Sequence, residues 1–427
     1  MKESAFILDS EYQANEQLHY TTVNIPYFFP KFEPENQTME SGQSGHILYL
    51  PRWYPSRTDP MSGLFVRKHA LAAVAAGFRV TVVFVVPGLI LKKHELFSIE
   101  IQSEDRLTEV FIIYRKAEGI SGLSRQLIAW NLGVKTAVQL NGKPDLIHAH
   151  ILTRTALLAW YYGRKWHLPY LITEHWSRYY TENFQYKGWF RKILTRFAVR
   201  NASKTTVVSA RLANAMKVAG VGRDFINLPN VVDTQLFNIS EKRDQRARIV
   251  SITCFEEKSK NLKMLVDAFA LLIADCKDAE LVLIGEGMDL EMIRTYAAEK
   301  RLPPGSVRFT GMLEGSVLAE ELSQSSCLAI SSNYETFGIV AFEALSSGIP
   351  VVATDVADLA DFIKPDSGRI VPVGDIQAFT GALTDVLENP ARFHPIDMRS
   401  GVEQQFGPEA VSQRLSDLYF GIIYRHP

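Results

Sequence analysis

The chain has 427 residues, which at about 150 residues per domain admits two or three domains. Hydrophobic residues make up 47% and charged residues 22%, an ordinary globular balance and not that of a disordered chain. Lys and Arg number 46 against 47 Asp and Glu, a net charge of −1, which argues against bulk nucleic-acid binding through a basic surface. The three cysteines, Cys254, Cys276 and Cys327, form no CxxC pair, so neither a disulfide framework nor a cysteine zinc site is expected. No apolar run reaches the roughly 20 residues of a spanning helix. No basic segment followed by an apolar core opens the chain, so the expected location is cytoplasmic, with the inner face of a membrane as its variant.

In chain order, residues 1–45 show no helical or strand period and read as an N-terminal extension. From His46 short apolar runs alternate with stretches of helical spacing. His46–Leu50 predicts a strand, Gly63–Ala76 a helix, Arg79–Val85 and Val110–Tyr114 strands, and Gln126–Leu140 a helix. Leu146–His150, Tyr170–Thr173 and Thr205–Val208 predict three more strands. Residues 46–229 therefore read as one Rossmann-like domain, and the polar, non-periodic 230–246 as a linker. The alternation resumes with strands at Ile249–Thr253, Glu280–Ile284, Val307–Phe309, Cys327–Ser331, Pro350–Thr354 and Arg369–Val371, and a helix at Leu262–Ile273. These define a second such domain over 247–407. Residues 408–427 read as a C-terminal helix returning to the first domain. Continuous apolar strands separated by helices predict an α/β protein with two doubly wound parallel sheets and a ligand cleft at their carboxyl edges.

The most informative stretch runs from Ser331 to Leu345. A buried strand ends, a loop follows, and a helix opens near Gly338. Its free N–H groups suit an anion such as a diphosphate, and a glycine lets the ligand approach the backbone. Glu343 stands out, because Ile339, Val340, Ala341, Phe342, Ala344 and Leu345 surround it. A carboxylate buried there is costly unless it is hydrogen-bonded, and the vicinal hydroxyls of a ribose are suitable donors. Glu335, in the loop, can reach another part of the same ligand. The plainer alternative, that both acids only favour a helix N-terminus, suits Glu335 better than Glu343.

Two other stretches carry chemistry. His148 and His150 end a strand and share one face, so a metal pair with His175 is conceivable, but no third ligand is spaced to close it. His148 reads as a satisfied core histidine. Over Tyr186–Arg200, Phe190, Ile193, Leu194 and Phe197 fall at helical spacing, with Lys187, Arg191, Lys192, Arg196 and Arg200 between them. A helix packed on its own sheet with a solvated basic face is the expected reading, and peripheral contact with an anionic membrane is the second.

Glu335-x7-Glu343, followed by Ala-Leu-Ser-Ser-Gly-Ile-Pro-Val-Val-Ala-Thr-Asp, resembles the signature of family 4 of the retaining glycosyltransferases, which have the GT-B fold. Gly285-Glu286-Gly287, Val307–Gly311 and Leu228–Asp233 are similar to other segments of that family, in the same order. The resemblance implies a nucleotide diphosphate sugar as donor and a saccharide or lipid-linked saccharide as acceptor, with no cofactor and no metal. It implies that Glu343 binds the ribose and Glu335 the donor sugar. Thr336 and the backbone of Phe337, Gly338 and Ile339 would meet the sugar or diphosphate, and Lys260 the departing phosphates. Met312 would lie at the base and Gly63 in the glycine-rich loop near the diphosphate. His150 would sit beside the reacting sugar. Retention at the anomeric carbon is implied by the resemblance alone. Two positions depart from the pattern. Cys254 stands where the family often has a second phosphate-binding arginine, and Ala357-Asp358-Leu359-Ala360-Asp361 replaces Gly-Gly-x-Pro-Glu. A nucleotide-sugar epimerase of similar fold and a catalytically silent binding protein are the alternatives.

Overall fold

The computed structural model describes residues 45–88, 95–152, 154–183, 185–240 and 247–424. Most of the expected N-terminal extension, and part of the expected linker, lie outside these residues. The elements begin with β1 (His46–Pro51), α1 (Leu64–Ala75), β2 (Arg79–Gly88), β3 (Phe97–Glu104), β4 (Leu107–Arg115) and α2 (Gly119–Asn141). Then come β5 (Leu146–His150), α3 (Arg154–Trp166), β6 (Tyr170–Glu174), α4 (Trp189–Asn201), β7 (Lys204–Val207), α5 (Ala210–Val218) and β8 (Ile226–Asn227). The second series runs β9 (Arg248–Ile252), α6 (Glu257–Lys260), α7 (Leu262–Asp275), β10 (Glu280–Ile284), α8 (Leu290–Glu299), β11 (Val307–Gly311) and α9 (Gly315–Ser323). It continues with β12 (Cys327–Ile330), α10 (Ile339–Ser346), β13 (Val351–Thr354), α11 (Leu359–Phe362) and β14 (Gly368–Val371). Three helices close the chain: α12 (Ile376–Glu388), α13 (Pro395–Phe406) and α14 (Pro408–Ile423).

Residues Thr81–Gly142 form one compact unit. Here β3 and β4 pair antiparallel, from Phe97 opposite Tyr114 to Glu104 opposite Leu107, across a turn in which Asp105 takes a positive φ of 47°. The sequence reading missed β3. Its apolar residues Phe97, Ile99 and Ile101 alternate with polar ones, the pattern of a strand with one wet face, not of a buried run. Helix α2 lies on β4 through Gly133, where any Cβ would press on Val83 and Ile112.

The second unit contains Lys143 onward together with the segment ending at Val80, and it carries the parallel strands of both sheets. In the first sheet these strands run β1-β5-β6-β7-β8, with β1 beside β5 from Ile47–Leu146 to Pro51–His150. In the second the order is β11-β10-β9-β12-β13-β14. Strands β1, β5, β6, β12 and β13 are buried along their whole length, as Val/Ile/Leu-rich parallel strands covered on both faces should be. The chain winds outward from β9 through β10 to β11, then returns to start again at β12. Neighbouring β9 and β12 thus mark a switch point, and their carboxyl ends open a crevice.

Helix α14 packs on α1. Its fully buried Tyr419 hydroxyl lies 2.5 Å from that of Tyr49 on β1 and 2.8 Å from Nδ1 of His148 on β5. The connection between the sheets is pinned by Arg399 of α13, which donates to the carbonyls of Thr234 at 2.7 Å and Phe237 at 2.9 Å.

Candidate active site

The loop after β12 is tied to helix α6, which follows β9, by one backbone amide and one serine hydroxyl. Asn333 N donates to the Ser259 carbonyl at 2.7 Å, and Ser331 Oγ donates to that of Lys260 at 2.8 Å. This brings Lys260, the last residue of α6, against Glu335. The Lys260 ammonium is 2.5 Å from Glu335 Oε1, which also accepts from Ser332 Oγ at 2.8 Å. Burial opposes the charge on Lys260, but Glu335 beside it, with Cys254 and Glu256, more than offsets this and raises its pKa. Cys254 itself is exposed.

Gly338 precedes α10 with a φ of 75°, a left-handed conformation that L side chains avoid. It ends the loop that follows β12 and opens α10, whose first N–H groups have no acceptor one turn back within the helix. Thr336 is half-buried, while Phe337 is buried, tilted against Phe342 and edge-on to Phe406, leaving only its backbone for a ligand. Met312, just past β11, is exposed. Five of the sequence-predicted residues, Thr336, Phe337, Gly338, Ile339 and Glu343, thus follow one another through this loop and α10, with Lys260 and Glu335 at its head.

Glu343 is buried, and burial raises its pKa. Its partner is one that sequence reasoning missed. Lys68 of α1 places its ammonium 3.7 Å from Glu343 Oε1, with only 16% and 9% of the two side chains exposed. No local signal could have paired residues 275 positions apart. Lys68 follows Gly63, which starts α1 with a φ of 70°. A Cβ on Gly63 would lie 2.3 Å from the Trp53 carbonyl, so only glycine fits that close approach.

His150 ends β5, fully buried. Its Nδ1 is 3.2 Å from Nε2 of His175, which follows β6. A third histidine, His69 of α1, lies close enough that one nitrogen of each ring falls within 4.8 Å of the others. The sequence alone offered no third residue for this group, because α1 is far away in the chain. His69 donates from Nε2 to the Pro229 carbonyl at 2.8 Å, so its neutral ring presents a lone pair at Nδ1. His69 Nδ1, His150 Nε2 and His175 Nδ1 have no partner among the described residues. Burial lowers the pKa of all three, that of His69 to about 4. His148, by contrast, uses both nitrogens, on Tyr419 and on Thr173 at 2.6 Å.

The sequence also gave no hint of Glu174. Fully buried, it accepts from Leu152 N at 3.1 Å, His175 N and Trp176 N at 2.9 Å and the Tyr179 hydroxyl at 3.0 Å. It also pairs with buried Arg178 at 3.3 Å. Arg178 Nη2 donates in turn to the Leu152 carbonyl, so this ion pair joins the loop after His150 to the loop carrying His175.

On α4 the buried residues are Thr195 and Ala198. Trp189, Phe190 and Ile193 are 74%, 61% and 51% exposed, among the exposed Lys187, Arg191, Arg196 and Arg200. The expected packing of Phe190 and Ile193 against the sheet is therefore corrected. The helix buries Thr195 and Ala198, keeps Leu194 half-buried and Phe197 edge-on to Trp160 of α3, and turns Trp189, Phe190 and Ile193 out.

Asp358, in the segment that departs from the family pattern, accepts from the backbone of Ala210 at 2.5 Å and of Arg211 at 2.9 Å, at the start of α5. Arg211 also pairs with Asp355.

Comparison with known proteins gives the class first. The chain superimposes on sucrose-phosphate synthase from Thermosynechococcus elongatus with a TM-score of 0.71 at 20% identity, over 88% of this chain and 98% of that one. The Anabaena protein HepE in complex with UDP and glucose superimposes with a TM-score of 0.67 at 16% identity, over 88% and 99%. The fold is GT-B, two Rossmann-like domains. The Glycosyltransferase Family 4 model matches residues 63–236, and the Glycosyl transferases group 1 model matches residues 232–401. This chain belongs to family 4 of the glycosyltransferases. The phosphatidyl-myo-inositol mannosyltransferase of Mycolicibacterium smegmatis is 28% identical over 209 residues, 48% of this chain. The matched segment spans 50% of that relative's length. Among the described residues no helix is long and apolar enough to cross a membrane.

Proposed function

We propose that this protein transfers a glycosyl unit from a nucleotide diphosphate sugar to an acceptor hydroxyl, with retention at the anomeric carbon, in glycolipid or surface polysaccharide assembly. The observation that carries this reading is the Lys260–Glu335 pair at the mouth of the β9/β12 crevice, with buried Glu343 eight residues further along. In this reading the ribose hydroxyls bind Glu343, and the backbone amides of Phe337, Gly338 and Ile339 bind the diphosphate or sugar. Gly63 lets the opposite loop close on the diphosphate, and Met312 flanks the base. Lys260 neutralises charge as the diphosphate departs, stabilisation aimed at the transition state. Glu335, held by Lys260 and Ser332, orients the donor sugar. His150 lies beside that sugar, its Nε2 able to take a hydroxyl once neighbouring side chains shift to expose it. Attack comes from the leaving-group side, and a donor phosphate oxygen takes the acceptor's proton. The donor is a co-substrate, and the reading includes no cofactor.

The acceptor is a saccharide or a lipid-linked saccharide. The exposed aromatic and basic face of α4 supports peripheral contact with an anionic membrane, at its inner face, where a lipid-linked acceptor would be met.

Cys254, in place of the arginine, favours one second reading, a binding protein without turnover. Product analysis with a panel of nucleotide diphosphate sugars and acceptors separates the readings. Transfer that Glu335→Ala abolishes while the fold is retained supports the proposal. Donor binding with neither transfer nor hydrolysis supports the second reading, and an epimer formed from donor alone would indicate an epimerase.

A further inference from the structure

We propose that Lys68 is a second phosphate-binding cation for the donor, supplied by α1 and held ready by Glu343. The inference rests on the functional reading above and extends it to a residue outside the family motifs. Cys254 leaves Lys260 without the arginine that the family pattern places six residues before it. A diphosphate carries more negative charge than one ammonium balances, so a second cation is to be sought nearby. Lys68 is the cation that meets the buried carboxylate at the ribose position, 3.7 Å away. It also lies five residues beyond Gly63, in the helix that begins at the loop facing the diphosphate.

The two contacts of Lys68 exclude one another. Ribose hydroxyls that bind Glu343 compete with the ammonium for the same carboxylate. Once Lys68 is displaced, the diphosphate carried by that ribose offers it more negative charge than the single carboxylate of Asp233, the other acid beside Glu343. A flexible four-carbon stem lets an ammonium re-aim over such a short distance. Glu343 thereby reads the ribose and releases Lys68 in one event. A nucleoside alone would displace Lys68 without offering it a new partner. A nucleoside diphosphate does both.

Calorimetric titration of wild-type protein and Lys68→Met with UDP and uridine, GDP and guanosine, and ADP and adenosine tests this. Loss of a charge-assisted phosphate contact predicts a diphosphate affinity about tenfold to a hundredfold weaker in Lys68→Met. Affinity for the matching nucleoside is unchanged or tighter, because its competitor for Glu343 is gone. Lys68→Arg keeps diphosphate affinity within a few-fold. Equal weakening of nucleoside and diphosphate would make Lys68 a support for Glu343 only, and an unchanged diphosphate affinity would remove it from the site; either overturns the proposal. If Lys68→Met does not fold, Lys68→Gln decides, because it removes the charge and keeps a polar side chain beside Glu343; diphosphate affinity must again fall while nucleoside affinity does not, and equal factors count against the role. Wild-type protein that binds none of the three diphosphates overturns the functional reading itself. Wild-type binding that Lys260→Met weakens and Lys68→Met does not overturns the role of Lys68 alone.

Discussion

Four buried histidines, His69, His148, His150 and His175, surround the ends of β1, β5 and β6, and each has its pKa lowered chiefly by burial. The sign of the consequence follows from linkage. Between pH 6.5 and the depressed folded values the unfolded chain binds protons that the native state does not, so stability rises with pH there and is lost as pH falls. Each histidine contributes a slope of about 1.4 kcal/mol per pH unit below pH 6.5, which for His69 persists to about pH 4. Thermal unfolding followed from pH 7.5 to pH 5 should show Tm falling below pH 6.5, and a flat profile would contradict neutral, buried rings. Glu174 offers a second test at this scale. Glu174→Ala strands buried Arg178 and three backbone donors, so it should cost about 3–5 kcal/mol in chemical denaturation. A loss under 1 kcal/mol would show the hub to be dispensable. Glu343 was legible in the sequence because a carboxylate in so apolar a helix demands a partner. Lys68, His69 and the Glu174 network were not, since their partners come together only when separate strands and helices are assembled.

At the scale of elements, continuous apolar runs were readable. Strand β5 falls on the expected residues, and β1, β6, β9 and β12 within one or two. Strand β3 and the inward face of helix α4 were not readable, for opposite reasons. Strand β3 alternates apolar and polar residues where a continuous apolar run was sought, and none of its residues is buried. Helix α4 has apolar residues at helical spacing, which periodicity reads as a core face. It instead packs through Thr195 and Ala198, because spacing reports a stripe but not which side of the helix meets the sheet. The outward stripe has a measurable consequence. Flotation with vesicles containing anionic phospholipid should recover the wild-type protein, and Trp189→Ser with Phe190→Ser should lose that recovery while keeping Tm. Equal recovery of wild type and variant would remove α4 from the interface.

Across the molecule, elements of the first sheet meet the second sheet at a few polar points. Lys68 joins Glu343, Arg211 and the start of α5 join Asp355 and Asp358, and Lys258 Nζ donates to the Asn183 carbonyl at 3.2 Å. The Arg211 pair is exposed, and such pairs contribute about 0–1 kcal/mol. Contacts this weak can separate and re-form, as closing around a donor requires. The Asp358 contact also accounts for part of the departure from the family's Gly-Gly-x-Pro-Glu, since in this chain the segment caps α5.

The central claim is that the edge formed by Lys260, Glu335 and Glu343 holds a nucleotide diphosphate sugar. Thermal unfolding of wild type and Lys260→Met in a panel of UDP-, GDP- and ADP-sugars tests it most directly, because a ligand at a hundred times its Kd stabilises by about 2.7 kcal/mol. At least one donor should raise the Tm of the wild type by several degrees, and Lys260→Met should lose most of that rise. No rise with any donor, or the same rise in Lys260→Met, would contradict the account.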